Sequence, residues 1–271
     1  MTPINLTDTE FKKIATLVYD SFGITLNDSK RSLVVNRLNK ILRQGGLSSF
    51  TQYYKKLVED QTGLELQKLA NCISTNHTFF NRESGHFDYY LNTALTEVTK
   101  TIKDNDLRVW CAASSTGEEP YTLAMLQQEF FGSQYKNWKA GLLATDISER
   151  ALSKANTGIY PKDEVGKLPF ALKNNYFNKV GDQFMVKPEV KSEVLFRKLN
   201  LVKPFRFKKP FHIIFCRNVM IYFDQSTKDD LIKRMYDYTM PGGYLFIGHS
   251  ETIPRQNCPY KFVMPAVYRK V

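Results

Sequence analysis

LRVWCAASSTGEEPYTLAM, residues 107–125, passes from an apolar run through a loop of small residues into a helix start. The apolar run ends at Ala112, and Ala113, Ser114, Ser115 and Thr116 lead to Gly117. Small side chains let a ligand come close to the backbone, and the first turn of a helix offers free amide groups at the same place. Ser115 or Thr116 can cap that helix, Glu118 and Glu119 suit its positive end, and Pro120 fits its first turn. In a doubly wound fold this first strand–loop–helix turn is the nucleotide site. A capped helix after a buried strand explains the same residues without a ligand, so the turn means a site only together with other signals.

Outward from this turn, strands are predicted at 107–112, 140–145, 194–198, 211–216, 244–247 and 262–268. Helices are predicted at 120–131, 148–156, 169–174 and 226–239, and the alternation signals a parallel sheet covered by helices. Residues 176–196 fit that scheme poorly. Short strands at 184–186 and 194–196, around Gly181 and Pro188, predict a small β insertion over about 177–197. Upstream the pattern is helical. Thr7 and Glu10 form a capping box, Phe11, Ile14, Leu17, Val18 and Phe22 recur at helical spacing, and Gly23 stops the helix. A second helix, 28–44, has the apolar stripe Leu33, Val34, Leu38, Ile41 and Leu42; its remaining surface carries Lys30, Arg31, Arg37, Lys40 and Arg43. Helices at 49–60 and 63–73 follow, then linker helices at 84–92 and up to 103. The predicted division is a helical domain, 1–83, and an α/β domain, 84–271.

The chain has 271 residues, 42% of them apolar, enough for such a pair of packed domains. No apolar run approaches the roughly 20 residues that span a bilayer. The first ten residues lack the basic-then-apolar order of a secretory signal, so a cytoplasmic protein is expected. Cys72, Cys111, Cys216 and Cys258 form no C-x-x-C pair, and the four histidines show no ligand spacing, so no metal is expected. The net charge of +11 favours a polyanionic partner: nucleic acid, an anionic membrane surface or an acidic protein.

Three further segments join the opening turn. Its single glycine and two following carboxylates do not suit a pyrophosphate; they suit a phosphate-free ligand with a cationic centre, such as S-adenosylmethionine. Asp146 ends the second predicted strand, where an acid grips ribose hydroxyls in nucleotide folds, and Ser148 is available to cap the next helix in its place. The run FHIIFCRNVMIYFD, residues 211–224, ends a strand in Arg217 and Asn218, with Tyr222 beyond, where ligands bind in such sheets. NHTFFNR, residues 76–82, sits at the domain junction, where clefts form, and Arg82 can meet a carboxylate.

These segments, with ATDI at 144–147, Asn200-Leu201, and the stretch from Pro241 to Glu251, resemble the CheR family of chemotaxis protein methyltransferases over nearly the whole chain. The resemblance implies a Rossmann-like methyltransferase sheet with its last strand antiparallel. It implies S-adenosylmethionine as cofactor and S-adenosylhomocysteine as product. The substrates it implies are glutamates on the acidic cytoplasmic helices of chemoreceptors, which become methyl esters. Cofactor contacts carried onto matching positions are Asn76, Thr78, Arg82, Glu118, Asp146, Asn200, Leu201, Arg217 and Asn218, and Tyr222 matches a tyrosine near the transferred methyl.

The chemistry agrees with that family. A carboxylate is already ionised near pH 7 and needs no strong base, so alignment is the main demand. Arg82 or Arg217 is expected to position the carboxylate and Tyr222 to shape the methyl path. Lys30, Arg31, Arg37, Lys40 and Arg43 are expected to dock an acidic receptor helix, which gives the charge a meaning other than nucleic acid. No membrane insertion is expected, and the reading leaves room for a regulatory adaptor. The loop around Gly181 is short, which points to a member that does not depend on tethering to a receptor C-terminal peptide. Two rivals remain: a nucleic-acid methyltransferase, whose frequent Asn/Asp-Pro-Pro-aromatic motif is replaced here by Arg217-Asn-Val-Met220, and a non-catalytic signalling protein that binds S-adenosylmethionine.

Overall fold

Local chemistry starts and stops the first helices where the sequence predicts. In the computed structural model, which describes residues 4–74, 76–254, 256 and 258–271, α1 spans Asp8–Phe22. The Thr7 hydroxyl accepts from the Glu10 amide at 3.3 Å, and the Glu10 carboxylate accepts from the Thr7 amide at 3.0 Å, closing the capping box. Gly23 ends the helix at φ +68°, its amide donating to the Tyr19 carbonyl at 2.7 Å. A Cβ on Gly23 would stand 2.5 Å from Val202 Cγ1, so the glycine also lets α1 approach the second domain. After a 3₁₀ turn at Asp28–Lys30 come α2 (Arg31–Gln44), α3 (Phe50–Glu59) and α4 (Leu64–Ile73). Ile14, Val18, Val34, Leu38, Phe50, Tyr53 and Leu69 are fully buried between these helices.

Residues 76–83 cross to the second domain. Helices α5 (Ser84–Tyr89) and α6 (Leu95–Thr99) are joined by a π turn at Tyr90–Ala94, so the predicted linker helices form one continuous rod. The strands are β1 (Val109–Ala112), β2 (Leu142–Asp146), β3 (Ile159–Pro161), β4 (Phe177–Val180), β5 (Gln183–Val186), β6 (Val194–Lys198), β7 (Phe211–Cys216), β8 (Thr239–Ile247), β9 (Lys261–Met264) and β10 (Val267–Arg269). The intervening helices are α7 (Glu118–Phe131), α8 (Glu149–Thr157), α9 (Lys162–Val165), α10 (Phe170–Tyr176), α11 (Pro188–Lys191) and α12 (Gln225–Asp237).

Seven strands form the main sheet in the order β6-β2-β1-β7-β8-β10-β9. The first five are parallel; β10 and β9 are antiparallel to their neighbours. Val109 and Cys111 pack into the core beneath α7, while Trp110 and Ala112 pack on the other face, toward α12. A strand buried on both faces reads as the near-continuous apolar run that the sequence shows.

Two predicted elements differ. Residues 194–198 do not belong to the insertion: β6 lies parallel to β2, with Val194 opposite Leu142, as the edge of the main sheet. The insertion is a separate antiparallel sheet of order β3-β5-β4. It recruits Ile159–Pro161, whose Tyr160 is fully buried and donates its hydroxyl to the Thr116 carbonyl at 2.6 Å. The hairpin between β4 and β5 turns on Gly181 and Asp182, as short as predicted. Residues 262–268 are not one strand. The chain reverses at Pro265 and Ala266, the latter at φ +63°, and gives β9 and β10, so the last two strands are antiparallel. The four cysteines are free thiols. Among the described residues no helix is long and apolar enough to cross a membrane.

Two buried histidines set a pH limit on this fold. Burial, then the Arg217 and His249 charges, pushes His86 down to about 3. Burial, then the Arg108 charge, pushes His212 down to about 4. The His212 Nδ1 accepts from the Arg108 amide at 3.1 Å, which only a neutral ring does. Below an unfolded pKa of about 6.5 the unfolded chain takes up protons that the folded chain refuses, so stability falls as pH drops. Thermal melts from pH 7 to pH 4 should show that slope, and His212→Gln should make it shallower.

Candidate active site

A cleft of about 1040 Å³, open solvent at its mouth included, lies between the helical domain and the carboxyl ends of β1, β2, β6 and β7. Ala113, Ser114, Ser115 and Glu119 line it from the turn after β1, Asp146 and Ile147 from β2, and Leu199, Asn200 and Leu201 from beyond β6. Arg217, Asn218, Val219 and Tyr222 follow β7, while Asn76, Thr78, Phe79 and Arg82 come from the domain junction. Phe22, Ile24 and Ile73 of the helical domain complete the wall. Short bonds tie the two domains around the cleft: Asn200 Nδ2 donates to the Ser21 carbonyl at 2.8 Å, the Thr25 amide to the Tyr222 carbonyl at 2.9 Å, and the Tyr19 hydroxyl to Asp224 at 2.6 Å.

The turn after β1 is built to expose backbone. Ala113 at φ +61°, Ser115 at +49° and Gly117 at +100° all lie in the left-handed region. Such conformations cost about 1–3 kcal/mol for non-glycine residues and cluster at functional sites. A Cβ on Gly117 would stand 2.7 Å from the Tyr160 hydroxyl and 3.0 Å from the Ala155 methyl. Asp146 anchors the turn: its two oxygens accept from the Ser115 and Ser148 amides, each at 2.8 Å. Burial raises its pKa in spite of those bonds. A carboxylate has about four acceptor sites, so Asp146 keeps lone pairs for two further donors, as a vicinal diol supplies.

The floor of the cleft is an ion cluster around Arg217, whose side chain is 1% exposed. Its guanidinium bonds to the Glu119 carboxylate and the Arg82 carbonyl, and meets Glu83 Oε2 at 3.0 Å. Burial alone would lower its pKa, but Glu119 and Glu83 outweigh that and raise it. Burial pushes the Glu83 carboxyl up, yet the Asn218 amide and the Arg217 charge hold it below its ordinary value. Asn218 sits at φ +58°, its Nδ2 donating to Glu83 at 3.0 Å and its amide to Glu251 at 2.9 Å. Arg217 Nε is buried and has no partner among the described residues.

Of the predicted cofactor contacts, Asn76, Thr78, Arg82, Asp146, Asn200, Leu201, Arg217 and Asn218 line the cleft, as does Tyr222. Glu118 does not. It is buried, with its carboxylate on the Thr116 hydroxyl at 2.7 Å and 4.0 Å from Lys154, and Glu119 faces the cleft instead. Neighbouring residues on a helix point about 100° apart, so only one of the two acids can turn inward. Glu83, which holds Arg217 and Asn218, carries no signal in the sequence beyond its neighbourhood, and Glu251, which accepts from the Asn218 amide, is visible only as the end of the 241–251 stretch.

The predicted docking residues divide. Arg31 pairs with Asp8 at 2.6 Å and lies over Phe11. Arg37 donates to the Cys72, Ile73 and Ser74 carbonyls, closing the end of α4 beside the cleft. Lys30 donates to the Thr25 carbonyl and sits 5.6 Å from the Tyr222 ring centre. Lys40 and Arg43 are exposed. Glu83, His86 and His249 are the group among the described residues that has metal-ligand atoms close together. The Glu83 oxygens there already accept from Arg217, Asn218 and the His249 amide, and the adjacent guanidinium repels a dication.

A parallel sheet closed by antiparallel last strands, with a cleft at its carboxyl edge lined by the turn after β1 and by the acid that ends β2, has the layout of a Rossmann-like nucleotide-binding domain. Residues 9–74 match the family description "CheR methyltransferase, all-alpha domain", and residues 76–268 match "CheR methyltransferase, SAM binding domain". The chain belongs to the CheR methyltransferase family. It is 43% identical over 272 residues to a chemotaxis protein methyltransferase of Borreliella burgdorferi, covering 98% of this chain and 96% of that one. It is 39% identical over 251 residues to a chemotaxis protein methyltransferase of Escherichia coli, covering 91% of this chain and 85% of that one.

The cleft fits S-adenosylmethionine. Asp146 has lone pairs left for ribose hydroxyls, and Arg217 lines the cleft with one guanidinium nitrogen, Nε, without a partner among the described residues. Gly117→Ala adds about 1–3 kcal/mol of strain under this loop. Titration calorimetry should show S-adenosylmethionine affinity about five- to a hundredfold lower, with an unchanged far-ultraviolet dichroism spectrum.

Proposed function

We propose that this methyltransferase esterifies glutamate side chains on the cytoplasmic helices of chemoreceptors, forming glutamate methyl esters and S-adenosylhomocysteine. The observation that carries this reading is the state of Arg82. It lines the cleft, one Nη donates to the His77 carbonyl at 2.8 Å, and the nearest carboxylate among the described residues, Glu83, is 3.9 Å away. A guanidinium so placed is available to orient an incoming carboxylate.

When bound, S-adenosylmethionine supplies a methyl group on a sulfonium centre; Asn76, Thr78, Asp146, Asn200, Leu201, Arg217 and Asn218 would hold it. The remaining work falls to positioning. A glutamate acceptor is ionised near neutral pH and needs no base. The acids lining the cleft are not free to act as one. Glu119 accepts from Arg217 and from the Cys111 thiol at 3.1 Å, and Asp146 from two amides. Arg82 orients the acceptor, and Tyr222, through its hydroxyl, shapes its approach.

Labelled methyl transfer to receptor-containing membranes, followed by alkali treatment, tests the reading: the label should be released, and alkali-stable label would rule out a carboxyl ester. Arg82→Ala and Tyr222→Phe should each lower turnover, Arg82→Ala by about tenfold or more. Normal turnover in both, with unchanged cofactor affinity, would remove these roles.

The exposed end of the basic face, Lys40 and Arg43, supports docking of an acidic helix. Reversing both charges to Glu should raise the KM for receptor about three- to tenfold at low salt. The cofactor dissociation constant should stay unchanged.

A further inference from the structure

Phe79 lines the cleft, and two cations sit against its ring. The Lys167 ammonium is 4.3 Å from the ring centre and the Arg82 guanidinium 5.9 Å. Lys167 comes from a distant part of the chain, the turn after α9, where its amide donates to the Glu164 carbonyl at 3.4 Å. Among the described residues no carboxylate lies within 4.0 Å of its ammonium, which is otherwise exposed. The electrons of a phenyl face attract a cation but do not neutralise it. Seating two like charges on one ring leaves repulsion that an anion would relieve. Glu119 and Asp146 also line the cleft, so an acidic chain is held where cations are exposed rather than against these carboxylates.

We propose that Lys167 is a specificity-determining residue, which binds a second carboxylate of the protein substrate next to the one that accepts the methyl group. This rests on the glutamate-methylation reading. The chemistry it fits is an acidic helix. Side chains three or four residues apart stand on one face of a helix, about 5–6 Å apart at Cβ, so an acidic helix presents a second carboxylate beside the accepting one. Arg82 takes the accepting carboxylate and Lys167 its neighbour on the same helix face. Phe79 holds the ammonium in place and limits the entropy lost on binding.

The test uses the full chain and a fluorescently labelled cytoplasmic fragment of a chemoreceptor. Binding is read by anisotropy without cofactor, and methylation by steady-state kinetics. Lys167→Glu should weaken fragment binding and raise its KM about five- to twentyfold. The kcat should stay within about twofold and the S-adenosylmethionine dissociation constant should not move. Lys167→Arg should restore both constants. On a fragment whose glutamates flanking the acceptor are replaced by Gln, Lys167→Glu and the unaltered enzyme should differ by less than about twofold. Lys162→Glu, a reversal at an exposed lysine of α9, should change fragment binding by less than about twofold. Fragment binding and KM unchanged in Lys167→Glu would overturn the proposal, as would equal losses for the two reversals or a full loss that persists on the Gln fragment. If the unaltered enzyme transfers no alkali-labile methyl to the intact fragment, the glutamate-methylation reading itself fails, and this proposal fails with it.

Discussion

The buried guanidinium of Arg217 is the constraint on which the cleft depends. It stands at the end of β7, yet its partners come from α7 through Glu119 and from the domain junction through Glu83 and the Arg82 carbonyl. A charge this deeply buried is tolerable only when its donors are met, and removing one partner leaves a costly unpaired ion. The central strand, the helix after the nucleotide turn and the crossing segment are thereby held to one geometry. Asn81 at φ +61° and Glu83 at φ +58° are two left-handed residues in that crossing segment, and the Glu83 contacts hold the strained backbone in place.

The helical domain is a wall of the same site. Phe22, Ile24 and Ile73 close the cleft, and Tyr19, Ser21 and Thr25 bond across to the residues that line it or flank it. Arg37 belongs to this wall more than to an outward-facing surface, because its guanidinium closes the end of α4. Of the basic helix, the outer end at Lys40 and Arg43 remains exposed, while Lys30 lies against Tyr222 at the cleft itself.

Much of this was legible because several local rules agreed. The small-residue turn, the acid at the end of β2 and the polar pair after β7 each point to the same edge of a parallel sheet. The capping box at Thr7 and the stop at Gly23 mark α1 without tertiary information. What was not legible depends on partners distant in sequence. Glu118 and Glu119 are equivalent by composition, and only the helix phase relative to Arg217 separates them. Glu83 gains its role from a residue 134 positions away. Val194–Lys198 has the same apolar alternation in either sheet, and its parallel register with β2 is a property of the assembled domain. The reversal at Pro265–Ala266 was hidden because Ala266 adopts a conformation that alanine seldom does.

Arg82 and Glu83 are chain neighbours whose main partners differ. The Glu83 carboxylate is fixed to Arg217 and Asn218, and the Arg82 guanidinium, on the reading proposed above, is the group that orients the acceptor. A single peptide bond therefore separates the two binding equilibria, and the backbone between them has little slack. On that reading, whatever factor cofactor binding transmits through this bond to acceptor affinity, acceptor binding must return to cofactor affinity. The junction is thus a place where heterotropic coupling can be strong, and where its sign is set by whether filling the floor draws Arg82 inward or frees it.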